Sequence, residues 1–449
     1  MAVSGVRAED PFGNALTLGD SGSVAGIEAF AAGFLACEAR VVDVLGPADR
    51  DDAPIVQACA AALQLFAETP DAPAAARSHL ERADASRVGA TDRERRFLEA
   101  VRAWADGDVL RAIALHEEQA REHPRDLVSV KLGQYHCFNL GDAPRMLRLA
   151  LAAAPAAADV APMHGMLAWG WEQCHLLRPA EAAARRAVAM HRREPWAHHA
   201  LAHVMLAEGR FDEGEALLRS VADTWTGLNS FMLTHAWWHL ALFLIEGERL
   251  DEALALHDGR VWGVCPDYSQ DQVNAVSLLA RLELAGADVG GRWTALAPRL
   301  APRVHDHVQP FLDLHYLYGL ARAGRPEADA MLASIEAFAP TAPVASREAW
   351  TRVAVPAARG LVAHARGDAE GAVRGLGDAM PALAAIGGSH AQRDLFAQLH
   401  VDALMAAGRW SAAQQALQPL ANSQPASRRL AARLRRCYRA LGVEGAIGA

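Results

Sequence analysis

Glycine followed by Asp or Arg closes an apolar helical run at Gly107, Gly141 and Gly209, at intervals of 34 and then 68, which is twice 34. Thirty-four residues is the period of the tetratricopeptide unit, a helix–turn–helix that cannot bury its apolar face alone and must stack on its neighbours. Each glycine therefore reads as a left-handed cap on one helix. A second amphipathic helix follows within a few residues: Val109 to Gln119, Pro144 to Ala153 and Phe211 to Val221. Similar glycines recur at Gly247, Gly286, Gly324, Gly367 and Gly408, now 38 to 43 apart, so the later units are longer. Small residues at Ala112, Ala182, Gly214, Ala253, Ala372 and Ala413 mark a slot where paired helices press together, and no strand alternation stands out.

The predicted fold class is all-α, a tetratricopeptide-like α-α superhelix (a helical-repeat solenoid) of about nine to eleven helix-turn-helix units. Helical stretches around Val24 to Leu45, Pro54 to Glu68 and Ala74 to Ala83 precede the first clear unit and read as degenerate or capping repeats. The expected organisation is a cap over residues 1–90, repeats lining a groove over 91–340, and C-terminal repeats closing the superhelix over 341–449. The Pro/Ala-rich joints Ala152 to Pro162 and Pro340 to Ala345 are too short to be flexible linkers. First helices of such a stack make a concave surface, where a local function would lie.

Composition narrows the partners. A net charge of −9 argues against nucleic acid or an anionic membrane. All basic residues but Lys131 are Arg, a bias that with the abundant Ala points to a GC-rich genome. The greasy stretch Ala236 to Ile245 is broken by His239 and falls far short of the roughly 18 residues a membrane-spanning helix needs. Met1 to Pro11 carries no export signal. Six scattered cysteines without a CxxC pair suit small core residues in a reducing cytoplasm, the expected location.

The chemistry concentrates in three patches. In the first, Trp196 precedes His199 and His203, four apart on one helical face, and His235, Trp238 and His239 repeat the pattern 36 residues later. These pairs should sit on adjacent first helices along the concave stripe, with His164 of the preceding unit nearby. An i, i+4 His pair is the geometry of a zinc HExxH motif, but Ala200 and Ala236 stand where its Glu would be, so the metalloprotease signature fails. The candidates for a divalent transition metal are His199, His203, His235 and His239. The same residues could instead act in acid/base chemistry or form an interhelix hydrogen-bond network.

In the second patch, His305, Asp306 and His307 are followed by Asp313 and His315; Asp306 and His307 read as cap and loop before a helix. Asp313 and His315, two apart, cannot share one helical face. In the third, Ser389 reads as an N-cap with Gln392 as its capping-box partner, and capping leaves Arg393 and Asp394 unexplained. If the stack curves tightly, the four histidines should share a cavity with at least one of Asp313, His315, Arg393 or Asp394. Catalytic candidates are His203, His239, Asp313 and His315. No spacing selects a Ser-His-Asp triad, and there is no GxSxG elbow or phosphate loop.

The segments around His199 to His203, His235 to Glu246, Asp306 to His315 and Gly387 to Phe396, with Trp293 and the units from Arg93 onward, resemble the tetratricopeptide repeat protein 38 family. The resemblance covers nearly the whole chain. It departs from the family pattern at Gln134 and Tyr135, where a His-Asp pair is expected, at Asn274 in place of Asp, and at His305 in place of Arg. It implies an all-helical solenoid and carries no reaction with it. The leading functional expectation is recognition of a small organic ligand or peptide terminus in a His/Trp-lined pocket. Its contacts would be His164, Trp196, His199, His203, His235, Trp238, His239, Asp306, His307, Asp313, His315, Gln392, Arg393 and Asp394. The alternatives are an enzyme using these groups, with or without a metal, and a protein scaffold.

Overall fold

The turn glycines do close helices in left-handed backbone: φ is +79° at Gly107, +72° at Gly141 and +70° at Gly209, and Gly286, Gly324, Gly367 and Gly408 follow suit. After each of the first three, the next amide returns to a carbonyl five residues back (Asp108 to Ala103, Asp142 to Cys137, Arg210 to Met205), which satisfies a helix-end carbonyl. The double interval between Gly141 and Gly209 is filled by His175, 34 residues from each, with φ +57° and the same return bond from Leu176 to Trp171. At Gly247 the left-handed residue is the neighbouring Glu248, φ +61°.

This register corrects one reading of the close-packing slot. Ala182 is exposed; the buried small residue of that unit is Ala180, five residues after His175 as Ala112 is five after Gly107. With no glycine to mark the turn, the count from sequence slipped by two.

The computed structural model describes residues 5–443 and is an all-α helical repeat in which helix pairs pack on their neighbours in sequence. Among the described residues no helix is long and apolar enough to cross a membrane. Contacts divide the chain into two units, one of Met1–Leu201 with Asp223–Met232 and one of Ala202–Ala222 with Leu233–Ala449.

The first unit begins with a feature the sequence reading missed, an antiparallel hairpin of Val6–Glu9 and Ala15–Leu18. Its strands are four residues each, too short for alternation to stand out. Buried Asp51 ties it down by accepting from the amides of Gly19 and Asp20 and from Ser23 Oγ. Helix pairs follow: Pro54–Leu65 with Ala72–Ala85, Asp92–Ala105 with Val109–Glu122, Leu127–Asn139 with Ala143–Ala153, and Ala161–Gln173 with Leu177–Met190. Lys131 is buried, donates to the Leu35 carbonyl at 2.8 Å, and lies 4.3 Å from the ring centre of Trp196.

The second unit pairs Ser230–Glu246 with Leu250–Leu256, Ser269–Leu284 with Arg292–Leu300, Pro310–Arg322 with Glu327–Phe338, Val355–Ala365 with Ala369–Ala379, and His390–Ala406 with Trp410–Ser423, ending in Arg428–Leu441. It closes on itself. Gln424 Nε2 donates to the Leu206 carbonyl, and buried Glu246 accepts from Ser427 Oγ and Arg429 Nε, each at 2.7 Å. The Ser269–Leu284 helix packs on His390–Ala406 across the middle. One apolar core of this unit runs from Trp238 to Leu399, and a second joins Ala372 and Val401 to Leu430 and Cys437.

Candidate metal-binding site

Helices Pro195–Ala207 and Ser230–Glu246 carry the two His pairs. Residues four apart on a helix project from the same face, so each helix presents two imidazoles one turn apart. One ring nitrogen from each of His203, His235 and His239, all in the second unit, lies within 4.8 Å of the others. His199, His203, His235 and His239 are all buried, with exposures of 7, 2, 2 and 1%. The sequence placed them on an open concave wall, and the structure buries them instead.

The Nε2 atoms of His235 and His239 are 3.2 Å apart. With zinc–nitrogen bonds of about 2.0–2.1 Å, the edge of a tetrahedral site is about 3.3–3.4 Å. The His203 and His239 rings stand 4.7 Å apart, and so do those of His235 and His239. Trp238 stacks on His235 at 5.1 Å and meets the His239 ring edge-on, fixing both planes.

A hydrogen-bond chain sets the tautomer of His235. The Asp271 carboxylate accepts from the Cys265 amide at 3.0 Å and lies 3.4 Å from Thr234 Oγ1. Thr234 Oγ1 accepts from Asn274 Nδ2 at 3.1 Å, which turns Asn274 Oδ1 toward His235 Nδ1 at 2.9 Å. Asn274 Oδ1 can only accept, so His235 carries its proton on Nδ1 and presents a bare Nε2 to the cluster. Burial lowers the His235 pKa to about 4; the Asn274 bond opposes this and His203 adds to it. His235 is therefore neutral at pH 7, the form that ligates metal. Asn274 stands where the family resemblance expects Asp; Thr234 and Asp271 are also part of this support, and no motif marked them.

The other predicted residues make the following contacts. His164 bonds the Ala158 carbonyl at 3.0 Å and steadies the loop before its helix, while Trp196 packs against Trp169 and meets His199 edge-on at 5.4 Å. Asp306 pairs with Arg303 at 3.0 Å, and His307 Nδ1 lies 2.7 Å from Asp313 Oδ2. Asp306 is not the helix cap: Gln309 holds that position, without a side-chain bond. His315 donates from Nδ1 to the Phe311 carbonyl, and its buried Nε2 has no partner among the described residues. Ser389 and Gln392 form the predicted capping box. Arg393 donates to the Gly387 and Gly388 carbonyls and Asp394 accepts from Gln398, so both serve the local helix start.

Arg281 joins the first and third patches, and sequence gave no hint of it. Its guanidinium lies 5.3 Å from the Trp238 ring centre and donates to Ser277 Oγ and to the Ala391 carbonyl. Burial lowers its pKa to about 10, a shift that Asp394 opposes. A separate cavity of about 320 Å³ in the second unit is lined by Glu283, Tyr318, Arg322, His364 and Asp402 among others. There Tyr318 Oη is 3.2 Å from His364 Nδ1, and His364 Nε2 is 3.2 Å from Asp402 Oδ2. No protein-family model matches the chain.

Proposed function

We propose that this is a metal-binding helical-repeat protein of tetratricopeptide type, akin to the tetratricopeptide repeat protein 38 family. In this reading His203, His235 and His239 of the second unit hold one divalent transition metal ion of the zinc class. The observation that carries it is the 3.2 Å separation of His235 Nε2 and His239 Nε2, two nitrogens facing each other at nearly the edge length of a tetrahedral zinc site. The Asn274 bond supports it by leaving the lone pair of His235 on the nitrogen that faces the cluster. Imidazole ligands suit zinc, copper, nickel or iron, and a ligand set of three would leave a position for water or a small ligand. That open position is how the same site would serve acid/base or hydrolytic chemistry.

The test is elemental analysis of tag-free protein after exposure to zinc and gel filtration. One equivalent per chain, lost in the His235→Ala, His239→Ala double variant, is the expected result. A substoichiometric content unchanged in that variant would overturn the reading.

Recognition of a small organic molecule is a second reading, favoured by the 320 Å³ cavity and its Tyr318–His364–Asp402 chain. Six cysteines without a disulfide support a cytoplasmic setting.

A further inference from the structure

The loop before the Pro310–Arg322 helix carries a His in left-handed backbone, His307 with φ +47°. Left-handed backbone is uncommon for a non-glycine residue, though histidine adopts it more readily than most, as His175 does. Three contacts hold this one. Its ring stacks on Phe338 at 4.7 Å and meets Trp350 edge-on, and its Nδ1 lies 2.7 Å from Asp313 Oδ2 in the first turn of the helix. Its other nitrogen, Nε2, lies 2.7 Å from Ser334 Oγ. Ser334 belongs to the Glu327–Phe338 helix, one turn before Phe338, so one helical face supplies both the stacking ring and the hydroxyl.

The proton positions follow from the chemistry of the partners. Asp313 is a buried carboxylate and accepts, so His307 carries its proton on Nδ1. The bare Nε2 accepts from the Ser334 hydroxyl, and Ser334 Oγ in turn lies 2.7 Å from His305 Nδ1, which donates to it. A serine inside a helix ordinarily bonds a carbonyl of its own preceding turn, as Ser220 and Ser423 do here; Ser334 is bonded by two imidazoles instead. Burial grades outward along the series: Asp313 is fully buried, the His307 side chain is 9% exposed, and Ser334 is part-exposed.

We propose that Ser334, His307 and Asp313 form a nucleophile–base–carboxylate triad that takes small carboxylic esters as acyl donors. The triad is independent of the metal reading. Ser334 Oγ attacks the ester carbonyl as its proton passes to His307 Nε2, and Asp313 stabilises the imidazolium. The carbon–alkoxy bond then breaks and His307 returns the proton to the leaving alcohol. Water, activated by the same nitrogen, hydrolyses the acyl-serine to the carboxylic acid and regenerates the hydroxyl. His305 Nδ1–H, 2.7 Å from Ser334 Oγ, holds that oxygen in place between the two imidazoles. Burial raises the Asp313 pKa to about 6, against the opposing bond from His307, so the series loses its carboxylate below that pH.

Reaction of the full-length protein with a fluorophosphonate, followed by peptide mass mapping, tests this. Expected is one phosphonyl group on Ser334, absent from Ser334→Ala, with labelling slowed about 100-fold in His307→Gln and in the isosteric Asp313→Asn. Wild-type labelling should rise with pH through about 6 and be indifferent to a metal chelator, which separates the result from the metal site. Absence of label from Ser334, or equal rates in wild type and Asp313→Asn, would overturn the proposal and leave the series as a bond between neighbouring helices.

Discussion

Asn274 Oδ1 and His235 Nδ1 are 2.9 Å apart, and that contact determines which imidazole nitrogen faces the histidine cluster. Removing it in Asn274→Ala frees the ring to change tautomer. Metal affinity should fall 10- to 100-fold, the usual effect of losing such a supporting bond. Asn274→Asp, which restores the charge expected from the family resemblance, should tighten binding by making His235 more basic. Competition against a chromogenic chelator reads both; equal affinities in all three proteins would show that Asn274 does not support a ligand.

Acid should destabilise the fold through its buried neutral histidines. Burial holds His116 and His315 at about 4 and His136 well below its ordinary 6.5. Their folded pKa values are depressed, so the unfolded chain binds more protons, and the stability they confer is present above pH 6.5 and lost as pH falls toward 4. Thermal midpoints measured across that window should drop steadily. A flat profile between pH 6.5 and 4.5 would contradict neutral burial of these rings.

Gly214 faces Phe243, and an added Cβ would stand 2.3 Å from its ring. Gly214→Ala should cost about 1–3 kcal/mol, because the ring must leave a packed interface. Denaturant melts of the pair measure it, and a change below about 0.5 kcal/mol, the size of an ordinary surface substitution, would mean the ring moves freely.

Closure of the second unit depends on buried Glu246, which holds Ser427 and Arg429. Glu246→Gln removes a charge from a buried pair and should destabilise by about 3–5 kcal/mol. Amide exchange in the Arg428–Leu441 helix should accelerate first. Unchanged exchange there would show that the pair does not hold the terminus.

The period of the fold was legible because glycine is favoured in left-handed backbone and so marks each turn. His175 escaped notice since a histidine can adopt that conformation without advertising it. The i, i+4 histidines were legible because helical spacing alone puts them on one face. Their burial was not, and nor were contacts such as those of Gln424 and Ser427 with residues 206 and 246, more than 180 positions away in sequence, which helical spacing cannot show. Ser334 lies 27 residues from His307 on the second helix of its pair, where polar residues are common and no spacing singles one out.

The burial of Lys131 has a practical consequence. It is the only lysine in the sequence, and its amine is enclosed by carbonyls and aromatic rings. Acylating dyes, amine-coupled sensor surfaces and lysine-directed cross-linkers therefore have no side chain to reach while the protein is folded, so a mass tag appearing on Lys131 would report unfolding of the first unit.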